Sequence, residues 1–209
     1  MKAIGPVAAI AAATLLASAA GAATLNLAGT GYTSYVISNY DLAPDLDGKT
    51  ISYLDGVSKD GTNGLQVDGP AQVTFTYIGS EAGNLNYAGS LVGGTLFTTA
   101  SAVGSSVVTM MMSGGLLDFF FGTLAPARAV GQIQNNGTAS VSSRNFAIGY
   151  YQDGESWYAL FDDLANGDQD FDDFVVRVDI APIPVPAGGL LLLGGLGTLG
   201  MLARRRKTA

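Results

Sequence analysis

The chain contains no cysteine and no histidine. The first absence removes disulfide frameworks and thiolate chemistry. The second removes the usual general base at neutral pH, the Ser-His-Asp arrangement and the commonest zinc ligand. Basic residues are scarce as well: 10 Lys and Arg stand against 17 Asp and Glu, a formal net charge of −7. That sign opposes phosphate binding, so no nucleic-acid partner is expected. A 3.6-residue apolar period is also missing between Thr24 and Ala181, which argues against helices there. Lack of cysteine does not argue against export, since a β domain of this size can bury a core without staples.

The middle of the chain is rich in Gly, Ser, Thr, Asn and Asp. Asp-Gly and Asn-Gly pairs recur along it, among them Asp47-Gly48, Asn136-Gly137 and Asp153-Gly154. Such pairs supply the positive-φ positions of tight turns. Short alternating runs lie between them. Val73, Phe75 and Tyr77 share one face, as do Leu117, Phe119 and Phe121, and Phe146, Ile148 and Tyr150. Phe174, Val176, Val178 and Ile180 form an inner face, with Val175, Arg177 and Asp179 pointing outward. Met110-Met111-Met112 reads as core filler. These runs predict an all-β fold: a single antiparallel β-sandwich, jelly-roll-like, spanning residues 23–181. An N-terminal signal helix and a C-terminal hydrophobic helix are expected to flank it.

Both ends read as addresses. Residues 1–22 have the order of a secretory signal peptide: Lys2, the apolar Val7–Ala17 core, then the small-x-small Ala20-Gly21-Ala22. Signal peptidase would cut after Ala22. Residues 182–209 form a second signal. A proline-spaced stretch contains Ile183, Pro184, Val185, Pro186 and Ala187, and an uncharged Gly/Leu-rich run covers residues 188–203. Arg204-Arg205-Arg206-Lys207 follows. The run has 16 residues, about 24 Å as a helix, slightly short of a bilayer core of roughly 30 Å. It suits a temporary membrane hold with its basic end in the cytoplasm. Removing residues 1–22 and 188–209 takes away five basic residues and no acid, which moves the charge from −7 to −12.

This tripartite tail resembles the PEP-CTERM class of bacterial sorting signals, and most closely its Val-Pro-Leu-Pro-Ala variant. Ile183 and Val185 are conservative departures from that variant. The resemblance covers about the last 28 residues. It implies processing near Ile183–Ala187 by an exosortase-type membrane transpeptidase of a Gram-negative bacterium. Delivery to the cell surface or an exopolysaccharide matrix would follow.

The densest chemistry lies in Leu160–Ile180. Asp162, Asp163, Asp168, Asp170, Asp172 and Asp173 fall within twelve residues, with no Lys or Arg among them. Crowded carboxylates need a counter-charge or must spread into water. A hard cation such as Ca²⁺ accepts six to eight oxygens and is the obvious counter-charge. The Asp168-x-Asp170-x-Asp172 spacing matches the first half of an EF-hand loop, and Asp179 falls at its twelfth position. Asp173 stands where that loop needs glycine, and Phe174–Ile180 reads as strand, so an EF-hand is rejected. A calcium site in a β-domain loop survives, drawn from those six aspartates. Glu81 or Asp118 would reach in from neighbouring strands, and carbonyls near Asn166 and Gly167 would add oxygens. The alternative is a solvated acidic turn.

The segments Val73–Gly83, Leu116–Phe121 and Phe161–Val176 also resemble an uncharacterised β-rich domain of secreted bacterial proteins. That domain ends in Phe-Glu-Asp-Leu followed by Gly-Asp-x-Asp-Phe-Asn/Asp-Asp; Asp162 replaces its usual Glu. The resemblance implies an exported β domain and no particular activity. Trp157, Tyr150, Tyr151 and Tyr158 precede the acidic stretch and raise a lectin-like alternative, although aromatics at such positions usually pack a core. Paired carboxylates also admit a glycoside hydrolase, but no spacing in the sequence separates an acid from a base. The expectation is a non-enzymatic surface or biofilm-matrix protein, structural or adhesive and Ca²⁺-stabilised, with extracellular polysaccharide as partner.

Overall fold

The computed structural model of the chain describes residues 22–42, 44–56, 61–124, 131–140, 146–163 and 169–183, with the single positions 195 and 197. The signal segment before Ala22, Asp168, the Pro184–Ala187 motif and nearly all of the 188–209 tail therefore lie outside the described residues. Among those described, Ala22 is exposed and Ile183 is half-buried. No helix of the described residues is long and apolar enough to cross a membrane.

The named elements are all strands. In chain order they are β1 (Leu25–Ala28), β2 (Thr33–Val36), β3 (Thr50–Asp55), β4 (Gly64–Val67), β5 (Ala71–Gly79), β6 (Leu85–Ser90) and β7 (Gly94–Thr98). Then follow β8 (Ser106–Met111), β9 (Gly115–Leu116), β10 (Phe120–Leu124), β11 (Gly131–Gln134), β12 (Ala147–Asp153), β13 (Ser156–Asp162) and β14 (Phe174–Pro182). They pair in three sheets, ordered β1-β4-β9, β11-β10-β6-β7 and β2-β3-β12-β13-β14-β5-β8. Every pairing is antiparallel. The nearly all-β, antiparallel expectation is therefore met.

The three sheets share one core. Phe75, Tyr77 and Phe174 from the seven-stranded sheet meet Phe97 and Phe121 from the four-stranded sheet and Leu65 and Val67 from the three-stranded one. The ring centroids of Phe121 and Phe161 lie 5.4 Å apart, and those of Tyr77 and Phe174 lie 4.8 Å apart. Buried Asn135 ties the sheets together with polar bonds. Its Nδ2 donates to the carbonyls of Leu65 at 2.8 Å and Leu117 at 3.0 Å, and its Oδ1 accepts from the Leu65 N–H at 2.9 Å. Full pairing of that side chain removes the penalty of burying it.

The strand expected over Phe174–Ile180 runs on to Pro182, between β13 and β5. Phe174, Val176 and Val178 face the shared core, as their alternation requires. Val175 departs from expectation: it points to the other face, yet it is fully buried. Alternation assigns a side to a residue and says nothing about what covers that side. Here residues 37–42 and 44–46 fold over the sheet, bringing Ile37, Tyr40 and Leu46 onto Leu160, Val175 and Phe171 in a second core. The segment is pinned by exchange of backbone bonds between Ile37 and Lys49 or Gly48, each 3.0 Å. Asp47 Oδ1 accepts from the Tyr40 N–H at 2.9 Å. The Asp47-Gly48 turn that permits this places Gly48 at φ 73°, a conformation glycine adopts without strain.

The methionines depart further. Met110 and Met112 are 54% and 76% exposed, and Met111 packs only partly on the core. Met110 and Met111 end β8, the edge strand of the largest sheet, and Met112 follows it. Their hydrophobicity predicted a depth that an edge position does not provide.

Candidate functional site

The acidic stretch arrives at β14 through an unusual backbone. Gln169 and Phe171 adopt φ of 55° and 63°, in the left-handed region that bulky residues avoid. Burial explains why Phe171 tolerates it. Its ring is fully buried, with centroids 5.7 Å from Tyr35 and 5.4 Å from Tyr53. A phenyl ring taken out of water contributes about 1.5–3 kcal/mol, enough to offset a strained backbone of roughly 1–3 kcal/mol. The ring acts as a plug, and the aspartates on either side of it are drawn in with it.

Asp172 is buried, and its Oδ2 accepts from the Asp41 N–H at 3.2 Å. Its carbonyl accepts from the Glu81 N–H at 3.0 Å, and its carboxyl hydrogen-bonds to the side chains of Glu81 and Asp170. Asp173 Oδ2 accepts from the Asp163 N–H at 2.7 Å. The Asp173 carbonyl accepts from the Ser80 hydroxyl at 2.5 Å and from Asn86 Nδ2 at 3.3 Å. Buried Asp163 Oδ2 accepts from Asn84 Nδ2 at 3.0 Å and Asn86 Nδ2 at 2.8 Å. Asn86 Oδ1 in turn accepts from the Thr123 hydroxyl at 2.8 Å. Asp162 ends β13 with its side chain fully buried.

Burial and mutual repulsion shift these acids strongly. Loss of water, then the charge of Asp170, pushes Asp172 up to about 7. Loss of water together with the charges of Asp163, Asp162 and Asp170 pushes Asp173 up to about 8, against the lowering effect of the Asp163 N–H. No basic side chain compensates among the described residues. Arg177, whose Nε donates to Asp179 Oδ2 at 2.8 Å, is committed elsewhere. Near neutral pH the cluster therefore retains protons that ordinary carboxyls would release.

Of the expected ligands, Glu81, Asp162, Asp163, Asp170, Asp172 and Asp173 come together, and Asp168 falls outside the described residues. Asp118 does not join them. It caps the β6–β7 turn, its carboxylate accepting from the Ser90 hydroxyl at 2.7 Å and the Leu91 and Val92 N–H groups at 3.0 and 3.2 Å. It sits beside Ser90, the opposite end of β6 from Asn86, so it cannot reach across. Asp179 is likewise distant along β14, where the Ser156 hydroxyl donates to it at 2.6 Å. Among the described residues no three acidic side chains stand in the arrangement of a formed metal centre. The carboxyls hydrogen-bond to each other and to amide donors instead.

The sequence reading missed Asn84, Asn86, Ser80, Thr123 and Asp41. The alternating Asn84-Leu85-Asn86 places both amides on one side of a strand and was the one available signal. The chain matches no family model, no curated protein and no solved structure. The aromatic group offered for sugar stacking is mostly internal. Trp157 is 9% exposed, and its Nε1 donates to the Leu25 carbonyl at 3.2 Å. Tyr150 is buried with its hydroxyl on Asn135, Tyr158 is buried, and Tyr151 is half-buried.

Proposed function

We propose that this chain is an exported, non-enzymatic protein of the cell surface or extracellular matrix of a Gram-negative bacterium. In this reading its body is a jelly-roll-like β-sandwich with a structural or adhesive role, and Ca²⁺ stabilises it. The signal order of residues 1–22 and the motif, apolar run and basic cluster of residues 182–209 support the destination. Signal peptidase, an exosortase-type transpeptidase and extracellular polysaccharide are the partners this implies. The membrane is engaged through residues 188–203 before processing.

One observation carries the cation: the buried carboxyls of Asp162, Asp163 and Asp172 gather with half-buried Asp173 and exposed Glu81, and Asp172 and Asp173 hold protons to about pH 7 and 8. Such a cluster is costly to ionise unless a positive charge enters it. Asp170, Asp172 and Glu81 already meet through shared hydrogen bonds. A divalent ion would replace the shared protons after small side-chain rotations, with oxygens that Ca²⁺ prefers. Asp162, Asp163, Asp168 and Asp173 complete the candidate set.

The test is calorimetric titration of the full chain in detergent with Ca²⁺ at pH 8, paired with melting in Ca²⁺ and in chelator. A cation that binds the native state raises the melting temperature by mass action. Heat of binding and a higher melting temperature in Ca²⁺ are the expected results. No heat at millimolar Ca²⁺, together with equal melting temperatures, would reject the calcium assignment. Mass spectrometry of the native extracellular protein tests the destination separately, because it reads the terminal residue directly. A C-terminus within Ile183–Ala187 supports processing, and an intact Ala209 rejects it.

A further inference from the structure

We infer that β8 is a self-recognition edge, pairing with β8 of a second copy of this chain across a two-fold axis. This goes beyond the cation and the destination and depends on neither.

Two unrelated observations lead to it. The first is charge. From Ala82 to Leu117 the chain has no charged residue, although its formal charge is −7 overall. That stretch builds β6, β7 and β8, and β7 and β8 are both edge strands of their sheets. Exposed strand edges are normally guarded by lysine, proline, a bulge or a covering segment. β8 reads Ser-Val-Val-Thr-Met-Met, with neither a charge nor a proline. Val108 and Met110 are 52% and 54% exposed beside it.

The second observation is register. Tyr77 donates its N–H to Ser105 at 2.9 Å and accepts from Gly104 at 2.8 Å, so its peptide groups point toward β8. Antiparallel alternation then turns Phe75, Val73 and Ala71 the same way, onto their partners Val107, Thr109 and Met111. The peptide groups of Ser106, Val108 and Met110 are left pointing out of the sheet. A two-fold axis perpendicular to the sheet keeps each side chain on its own face, so residues of like parity must pair. Centring the axis at Thr109 sets Val108 against the second copy's Met110, with both backbone bonds exchanged, twice over. Val107 then meets Met111 on the inner face. The sequence is apolar-apolar-Thr-apolar-apolar about that centre, so it complements itself when reversed.

The same symmetry separates the repulsive regions. β8 runs from Ser106, opposite Thr76 and nearest the acidic cluster, to Met111, opposite Ala71. Antiparallel pairing sets the acidic end of one copy beside the remote end of the other. The groove of about 260 Å³ between Val92, Leu96, Val107 and Met111 would gain a strand along its open side. A basic partner would find no charge on this edge to recognise, whereas an identical uncharged strand matches it residue for residue.

Since the chain has no cysteine, single thiols report the pairing cleanly. At the axis, Thr109 and its copy form a non-hydrogen-bonded pair with Cα atoms about 4.5 Å apart, within the roughly 4.4–6.8 Å range of disulfides. The experiment oxidises full-chain Thr109→Cys in detergent with a mild added oxidant and compares Ser34→Cys on β2, the opposite edge of the same sheet. A disulfide dimer from Thr109→Cys in several-fold excess over Ser34→Cys is the expected result. Adding Val108→Lys, at an exposed position that leaves the core intact, should reduce the dimer at least tenfold while circular dichroism is unchanged. The proposal is overturned by equal cross-linking at the two edges, by none at Thr109→Cys, or by cross-linking that Val108→Lys leaves undiminished.

Discussion

Two parts of this molecule treat charge in opposite ways. The Asp162–Asp173 region crowds acids into a half-dry corner, while the Ala82–Leu117 region carries no charge and leaves methionines and valines on its surface. Each departs from the common pattern of buried apolar and exposed charged residues. The acids are buried because Phe171, anchored by Tyr35 and Tyr53, pulls its neighbours inward. Val108 and Met110 are exposed on β8, the last strand of its sheet. Position in the fold overrides residue type in both cases, and the consequence is energetic tension that a bound partner can relieve. At the acidic corner a retained proton relieves it, and a cation is the proposed substitute. At the uncharged edge the proposed partner is another strand.

The strongest way to break the comparison is to remove the plug. Phe171→Ala should destabilise the protein by about 3–5 kcal/mol, the usual range for a buried phenylalanine. Urea denaturation followed by tryptophan fluorescence measures it, and a loss below about 1 kcal/mol would show that the ring does not hold the corner. Asn86→Ala comes next. It strips the buried Asp163 carboxylate of one donor and leaves the Thr123 hydroxyl without its acceptor. A loss of about 2–3 kcal/mol is expected from such unsatisfied groups, read from the same denaturation curves.

The pH profile sharpens the contrast. Asp172 and Asp173 have folded values of about 7 and 8, above the ordinary aspartate value of 3.8, so the native state holds more protons between these limits. Their contribution to stability is complete below about pH 4 and is lost as pH rises through about 7 to 8. In chelator, the melting temperature should therefore fall between pH 5 and pH 8. Asp173→Asn should flatten that fall, and Ca²⁺ should oppose it at the alkaline end. A profile that rises over the same interval would contradict the buried-acid assignment.

The smallest expected effect lies away from both regions. Trp157→Phe replaces the indole with a smaller aromatic ring and removes the hydrogen bond to the Leu25 carbonyl. A loss of about 0.5–1.5 kcal/mol is expected. Glycan binding that disappears in this variant, with stability otherwise retained, would instead favour the lectin-like reading.

Much of the fold was legible in the chain. Alternation located the Val73–Tyr77, Phe146–Tyr150 and Phe174–Val178 faces, because a period of two follows directly from strand geometry. The strand pattern after Asp173 likewise rules out an EF-hand from sequence alone. The second core was not legible, since the burial of Val175 depends on Ile37, Tyr40 and Leu46 arriving from far away in sequence. The Met110–Met112 run was misread for the same reason. Whether an apolar strand is central or at an edge is a property of strand order, which no local pattern encodes.

The acidic site divides along this line. Composition along Asp162–Asp173 establishes that charge must be managed there, because six aspartates on twelve residues repel whatever the fold. Folding chooses how. It adds Glu81 from the end of β5, supplies Asn84 and Asn86 from β6 as donors, and leaves Asp118 capping a turn elsewhere. Local sequence sets which groups are titratable and which residues alternate, because those depend on covalent chemistry and near neighbours. Burial, donors and counter-charge depend on segments tens of residues apart, so they emerge when the sheets close over one another.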